Sequence, residues 1–300
     1  MSKNNHIIFR TAYQIGALLL LSLATFLGFT GNASADTLIN SDITQNTRWA
    51  KAKSPYVIYA DNRDNITVQS GVTLTIEPGV TVKFSQATGL DVQGKLIAQG
   101  SPTEKITFTS LNDNHPLNTG TAYPGDWYGL FLRSNNSVLK WVHIKYAGRE
   151  GFMGHKEPAS LYVDGRFNHV TNSIIEKGDG NGIYLHYFYQ GIVHNNYIGD
   201  HAQNGVLIDH SDTDLFQNTI QNNGQNGIEI RDRLSAHYTK GKISIHKNAI
   251  QNNGGSGIHV KTLLVPDIHD NQIEGNQKEG IRIETGKPRI HDNTVRNNGD

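Results

Sequence analysis

From Asn172 to the last residue the chain repeats one pattern of polar and apolar positions: an Asn, an aliphatic residue two places on, then Gly-Ile-x-Ile or a close variant. The Asn positions are 172, 196, 218, 248, 271 and 293, separated by 24, 22, 30, 23 and 22 residues. The Gly positions, 182, 205, 227, 257 and 280, step by 23, 22, 30 and 23. Ile174, Ile198, Ile220, Ile250, Ile273 and Val295 follow the Asn, and pairs such as Val206/Ile208 and Ile258/Val260 follow the Gly. Short alternating segments rich in β-branched residues and punctuated by Gly and Asn predict strands, about three per repeat. A period of this length predicts a solenoid whose turns stack about 4.8 Å apart and superimpose equivalent aliphatics. Asn suits a recurring corner because it tolerates left-handed backbone angles, and stacked copies can bond along their column. The Gly column allows close approach or a positive φ.

The N-terminal half keeps the period-two alternation with looser spelling, as in Leu74-Thr75-Ile76, Val82-Lys83-Phe84, Leu96-Ile97-Ala98 and Ile106-Thr107-Phe108. The expected fold is all-β, with about ten coils of 22–24 residues each in the C-terminal half. Residues 36–64, with Trp49, Tyr56 and Tyr59, are expected to cap the first coil, and residues 65–300 to form the solenoid with an incomplete last coil. That last coil stops at Asp300 without the usual Gly-Ile-x-Ile, which predicts end-to-end self-association through unpaired strand edges, a partner at the C-terminus, or a truncated chain.

Lys3 and Arg10, the short apolar run from Ile15 to Phe29 and Ala33-Ser34-Ala35 read as a cleaved signal peptide over residues 1–35. The protein is therefore expected to be exported, to the periplasm, the cell surface or beyond, with no stable membrane anchor. Removing the leader leaves 25 basic against 27 acidic residues, a balance that offers no electrostatic footprint for nucleic acid. The absence of Cys excludes disulfides, thiolate nucleophiles and sulfur-ligated metals.

The phrases Leu74 to Val80, Gly94 to Ala98 and Ile106 to Ser110, together with the Asn-x-Ile and Gly-Ile-x-Ile turns, resemble exported bacterial right-handed parallel β-helix proteins of the pectin lyase-like superfamily. The resemblance runs from about residue 66 to the end and implies the handedness. It leaves activity open, since that superfamily holds lyases, hydrolases, epimerases, adhesins and periplasmic NosD-like proteins.

Alternation turns the x positions of Gly-Ile-x-Ile-x outward. They form a strip of Tyr162/Asp164, Tyr184/His186, Leu207/Asp209, Glu229/Arg231, His259/Lys261 and Arg282/Glu284, flanked by insertions at 111–126, 147–158 and 233–242. Aromatic and ionisable groups in a row suit an extended acidic polysaccharide. A lyase or epimerase acting on uronic acids needs a base for the C5 proton, an acid, and a cation over the carboxylate. His186, Tyr184, Arg231 and Lys261 are the candidate catalytic residues. Tyr162, Asp164, Asp209, His210, Glu229, Asp232, His259, Arg282 and Glu284 are the candidate substrate contacts. Asp209, Asp212 and Asp232 could hold calcium, although no cofactor is required.

Val206-Leu207-Ile208-Asp209-His210 resembles the V-W-I-D-H stretch of pectate lyases, with Leu207 in place of Trp and no Arg-x-Pro-x-x-Arg beside it. The polygalacturonase signatures and the Asp-Pro-His stretch of alginate epimerases are missing, so classical hydrolysis is the least favoured chemistry. A second column, His194, Phe216, His246, His269 and His291, offers His246, His269 and His291 as metal ligands in a NosD-like alternative. The other alternative is a noncatalytic adhesion or scaffold protein.

Overall fold

The computed structural model describes residues 36–59, 64–114, 120–152, 157–231 and 242–300. Three parallel sheets of 11, 9 and 10 strands run its length, and each strand pairs with its counterpart one coil away. One coil takes the chain from the 9-stranded sheet (the front sheet) to the 10-stranded sheet (the side sheet), then to the 11-stranded sheet (the back sheet) and forward again. The Gly-Ile-x-Ile segments are the front-sheet strands, for example Val206–Asp209, Ile228–Arg231 and Ile258–Lys261. The segment expected as a cap carries strands: Thr37–Ile39 and Tyr56–Ile58 pair in the back sheet, and Thr47–Trp49 pairs with Thr73–Ile76 in the side sheet.

The interior is built of aliphatic columns. In the side sheet Leu139, Val170, Val193, Leu215, Ile245 and Ile268 lie in register and are closed to solvent. Ile175, Ile198, Ile220, Ile250 and Ile273 do the same in the back sheet. At the N-terminal end larger rings fill the bore, with Phe84 stacked on Trp127 at 3.9 Å between centroids. Ile283, Ile290 and Val295 of the last coil are exposed.

The corners correct the sequence alignment. Ser173, not Asn172, stands in register with Asn196, because Ile174 pairs with Tyr197 and Ile175 with Ile198. The irregular step of 24 thereby becomes a regular 23, since the Ser173 N–H donates to Asn196 Oδ1 across 23 residues. The left-handed residue is the one before the column: Asn172, Asn195, Gln217, Lys247, Asp270 and Asp292 have φ between 54° and 56°. A left-handed turn bends the chain, and the Asn after it is left to satisfy the corner.

That Asn does so by bonding along the axis. The Asn218 N–H and Nδ2 each donate to Asn248 Oδ1 at 3.0 Å, and Asn248 Nδ2 donates to Leu215 O at 2.9 Å and to Asn271 Oδ1 at 3.0 Å. A second ladder, Asn223, Asn253, Asn276 and Asn298, runs five residues further along each coil. A third joins Asn181, Asn204 and Asn226 at the entrance to the front sheet. The Gly column serves close approach: a Cβ on Gly205 would lie 2.5 Å from Ile220 Cγ2 and 2.8 Å from Gly227 O.

Substituting Asn248→Ala strands the buried Asn218 N–H and Leu215 carbonyl, each worth about 1–3 kcal/mol. The expected result is faster amide hydrogen exchange over the coils joined at residues 215–273, with the first coils unchanged. Equal loss of protection along the whole chain would contradict a nearest-neighbour coil.

His201 heads the second ladder in place of Asn. Its Nδ1 accepts from the Gly178 N–H at 3.2 Å, and its Nε2 reaches Ile175 O at 3.1 Å as donor. Complete burial holds its pKa down at about 4, against 6.5 for the free ring. Between those values the unfolded chain binds the proton and the folded one does not, so stability is full above pH 6.5 and falls as the pH drops toward 4. The loss approaches roughly 3 kcal/mol. His201→Asn extends the Asn ladder and is expected to flatten this acid limb in urea titrations at pH 7 and pH 4.5. An unchanged slope would refute the assignment.

Candidate functional site on the front sheet

The outward columns of the front sheet fall in the expected register except at the two ends of the second, where a shift pairs Lys261 with Thr285 instead of Glu284 and another leaves Asp164 out of the ladder to His186. Phe131, Tyr162, Tyr184, Leu207, Glu229, His259 and Arg282 stand in one column, and His186, Asp209, Arg231 and Lys261 in the next. Outward does not mean open, however. Phe152 packs on Phe131 with centroids 3.9 Å apart, Tyr128 joins it, and the cluster continues through Tyr162 and Tyr184 to Leu207. Tyr162 and Tyr184, expected as platforms for sugar rings, are 3 % and 6 % exposed. The apolar insertion residue Phe152 makes a second, smaller core outside the coil, because an uncovered row of rings would stay in water.

Only the hydroxyl edges of these tyrosines meet polar partners. Tyr162 Oη lies 2.7 Å from His186 Nδ1, and Tyr184 Oη donates to Asp209 Oδ2 at 3.1 Å. Asp209 also holds Arg231 Nε at 3.3 Å and sits 2.6 Å from His210 Nδ1. Arg231 reaches past it to Glu157 Oε1 at 2.7 Å. Asp164 lies 4.0 Å from His186. Burial pushes both phenols well above their usual range, so they keep their protons, and it also raises the Asp164 carboxyl. Burial works against the Arg231 charge, but Glu157 and Asp209 outweigh it and hold the guanidinium charged.

This arrangement corrects the role expected of Arg231: it is shared between two carboxylates and is not a free clamp for a substrate. Two residues that alternation does not find are Tyr187 and Glu157. Tyr187 and His210 have φ of 48° and 50°, a left-handed step that breaks alternation and lets adjacent residues face outward together. The rings of His186 and Tyr187 lie 4.2 Å apart, and those of Tyr187 and His210 5.4 Å. Ser211 pins the step: its Oγ accepts from the Phe188 N–H, and its single O–H has the Asp209 and Leu185 carbonyls as acceptors at 2.9 and 3.0 Å. The sequence signal was a serine directly after Asp209-His210 where every other coil has none.

Downstream the face opens. A groove of about 310 Å³ is lined by Glu229, His259, Lys261, Lys278 and Arg282 with the backbone of Gly224 and Gly254. Lys261 lies 3.7 Å from Glu229, Arg282 3.7 Å from Glu279, and His259 Nε2 3.1 Å from Glu284. The Lys261 and Arg282 side chains remain 34 % and 44 % exposed. Burial, and then the Lys261 charge, lowers the His259 pKa.

The remaining candidates lie apart. Asp212 lines a different groove of about 410 Å³ on the side sheet with Asp214, Lys242 and His246. Asp232 falls outside the described residues. His246, His269 and His291 stack face to face at 4.9 and 5.0 Å with rings within 2° of parallel. Lone pairs in parallel ring planes point side by side and do not converge, and aspartates take several of the nitrogens, as Asp214 does at His246. Among the described residues no group of three His, Asp or Glu could hold a metal ion, and no helix is long and apolar enough to cross a membrane.

The family model described as right-handed beta helix region matches residues 27–240 and 190–300. Among solved structures, the chain is similar to a doubly substituted form of the periplasmic alginate epimerase AlgG, with a TM-score of 0.60 at 16% identity over 79% of this chain and 56% of that one. A second, singly substituted AlgG structure gives a TM-score of 0.50 at 14% identity, with the same coverage. The chain thus spans just over half the length of these structures. Over 84 residues, 28% of this chain and 3% of the other, it is 38% identical to the protein named bark beetle of Drosophila melanogaster.

Removing one member of the buried charge set should be costly. Asp209→Ala leaves Arg231 with Glu157 alone and deprives the Tyr184 hydroxyl of its acceptor, a loss of about 3 kcal/mol. Chemical denaturation followed by tryptophan fluorescence should show it. A change below about 0.5 kcal/mol would mean that the cluster is solvated.

Proposed function

We propose that this chain, which belongs to the right-handed β-helix family, binds an acidic polysaccharide on its front sheet, with the groove between Glu229 and Arg282 as the contact for the sugar carboxylates. The observation that carries the reading is the basic lining of that groove: Lys261 stands on one coil, and Lys278 and Arg282 on the next. Cations spaced by one coil, about 4.8 Å, fit a polymer that carries one carboxylate per sugar. The similarity to AlgG rests on the fold and adds no residue to this reading.

The finer reading is lyase or epimerase chemistry at the neighbouring cluster. His186, oriented by the Tyr162 hydroxyl, would take the C5 proton, with Lys261 supplying positive potential toward the carboxylate. Tyr184, buried and bonded to Asp209, fixes Asp209 and Arg231 in place. The rival reading, a noncatalytic binding or scaffold protein, is favoured by one observation: the Arg231 guanidinium is already taken up by Asp209 and Glu157.

Titration against polymannuronate, polyguluronate, polygalacturonate and neutral dextran separates these. The expected result is binding to an acidic polymer that weakens with salt and falls about tenfold in Lys261→Ala/Arg282→Ala. Equal retention of dextran would overturn the proposal. Solvent deuterium entering C5, or absorbance from an unsaturated product, tests turnover; His186→Ala is expected to end it while binding persists. Binding without exchange leaves the scaffold reading.

A further inference from the structure

The groove is closed at one end. Upstream of Glu229 its column continues as Leu207, Tyr184, Tyr162 and Phe131, each under 9% exposed. Phe152 and Tyr128 lie over the far end of that row, and the covered rings and Leu207 form one apolar cluster. Downstream the same column passes through His259 to the exposed Arg282. The groove's exposed cations gather at the open end, while Arg231 upstream is shared between Asp209 and Glu157. At the open end the basic groups are Lys261, Lys278 and Arg282, whereas the upstream guanidinium of Arg133 is held 2.8 Å from Asp91, which is fully buried.

A polysaccharide threaded along the sheet would have to pass over Leu207 and Tyr184. There, among the described residues, that column offers only phenol hydroxyls already bonded to His186 and Asp209, and the hydrated carboxylates would be pressed against its apolar side chains. We infer that the groove receives the end of an acidic saccharide chain, with the terminal sugar against Glu229 and Leu207 and the rest of the chain leaving toward Arg282. This inference rests on the reading of the groove as a uronate site. It makes the protein a reader of chain ends, so its capacity follows the number of chains and not their length.

The test counts ends. Tetrasaccharides and long polymers of one uronate, the one bound best, are titrated calorimetrically with the intact protein. The expected stoichiometry is one protein per saccharide chain for both, at matched affinity. A bulky fluorophore on one terminus of the tetrasaccharide should weaken binding at least about tenfold, while the same group on the other terminus is tolerated. Phe152→Ala, which thins the wall without touching the basic groups, should raise the number of proteins bound per polymer. Binding that scales with polymer length in the unsubstituted protein, or equal tolerance of both labelled termini, overturns the inference while leaving the uronate site standing. Failure of every uronate to bind removes the site itself.

Discussion

Every feature of this protein depends on one constraint: a backbone that turns three corners per coil must find partners for the polar groups it buries at each corner. Strand pairing satisfies the flat parts, but corners have no ladder of their own. Here the missing partners are side chains, Asn218 to Asn248 to Asn271 along one edge and Asn223 to Asn253 to Asn276 along another, each bonding forward to the next amide and back to an earlier carbonyl. Hydrophobic burial favours stacking of any aliphatic coil on any other. The amide ladders fix the axial spacing and the register, because an Asn displaced by one residue meets no partner.

Once the corners are fixed, the front sheet is a ruler. Its inward positions are spent on Val206, Ile208 and their counterparts, which leaves two outward columns for chemistry. The molecule treats the two ends of those columns differently. Toward the N-terminus an insertion closes them with Phe152 and a shell of rings, and burial holds the tyrosine hydroxyls protonated. Toward the C-terminus they stay wet and carry cations. Between the two lies the charge set of Asp209, Arg231 and Glu157, where two carboxylates share one guanidinium.

The fold was legible because a solenoid writes its period into the sequence, and the in-and-out alternation of Ile228/Ile230 against Glu229/Arg231 follows from strand geometry alone. Asn172 misled because it is an Asn at a corner one place too early; only the pairing of Ser173 with Asn196 reveals that the bend and the ladder are adjacent residues with different tasks. The site was less legible because exposure is set by what covers a position. Nothing in the Gly-Ile-x-Ile phrase says that Phe152, from an insertion, will sit on Phe131, or that Glu157 will reach Arg231. Tyr187 escaped notice because a left-handed residue inside a strand run breaks the parity on which outward positions are counted.

Parallel stacking of the His column has a consequence for how such a protein can change. Because every coil touches only its two neighbours, the coil is also the unit in which sequence can be gained or lost. Where His246, His269 and His291 lie flat on one another, a copied coil brings its own ring to the same height in the stack and disturbs nothing. The front sheet has no such tolerance. A coil inserted between Asp209 and Arg231 would part a hydrogen-bonded pair by one rung and sever the wall from the groove, whereas a coil added beyond Arg282 would lengthen the groove and leave its closed end where it is. At the rung between Asp209 and Arg231 the repetitive molecule is therefore not repetitive.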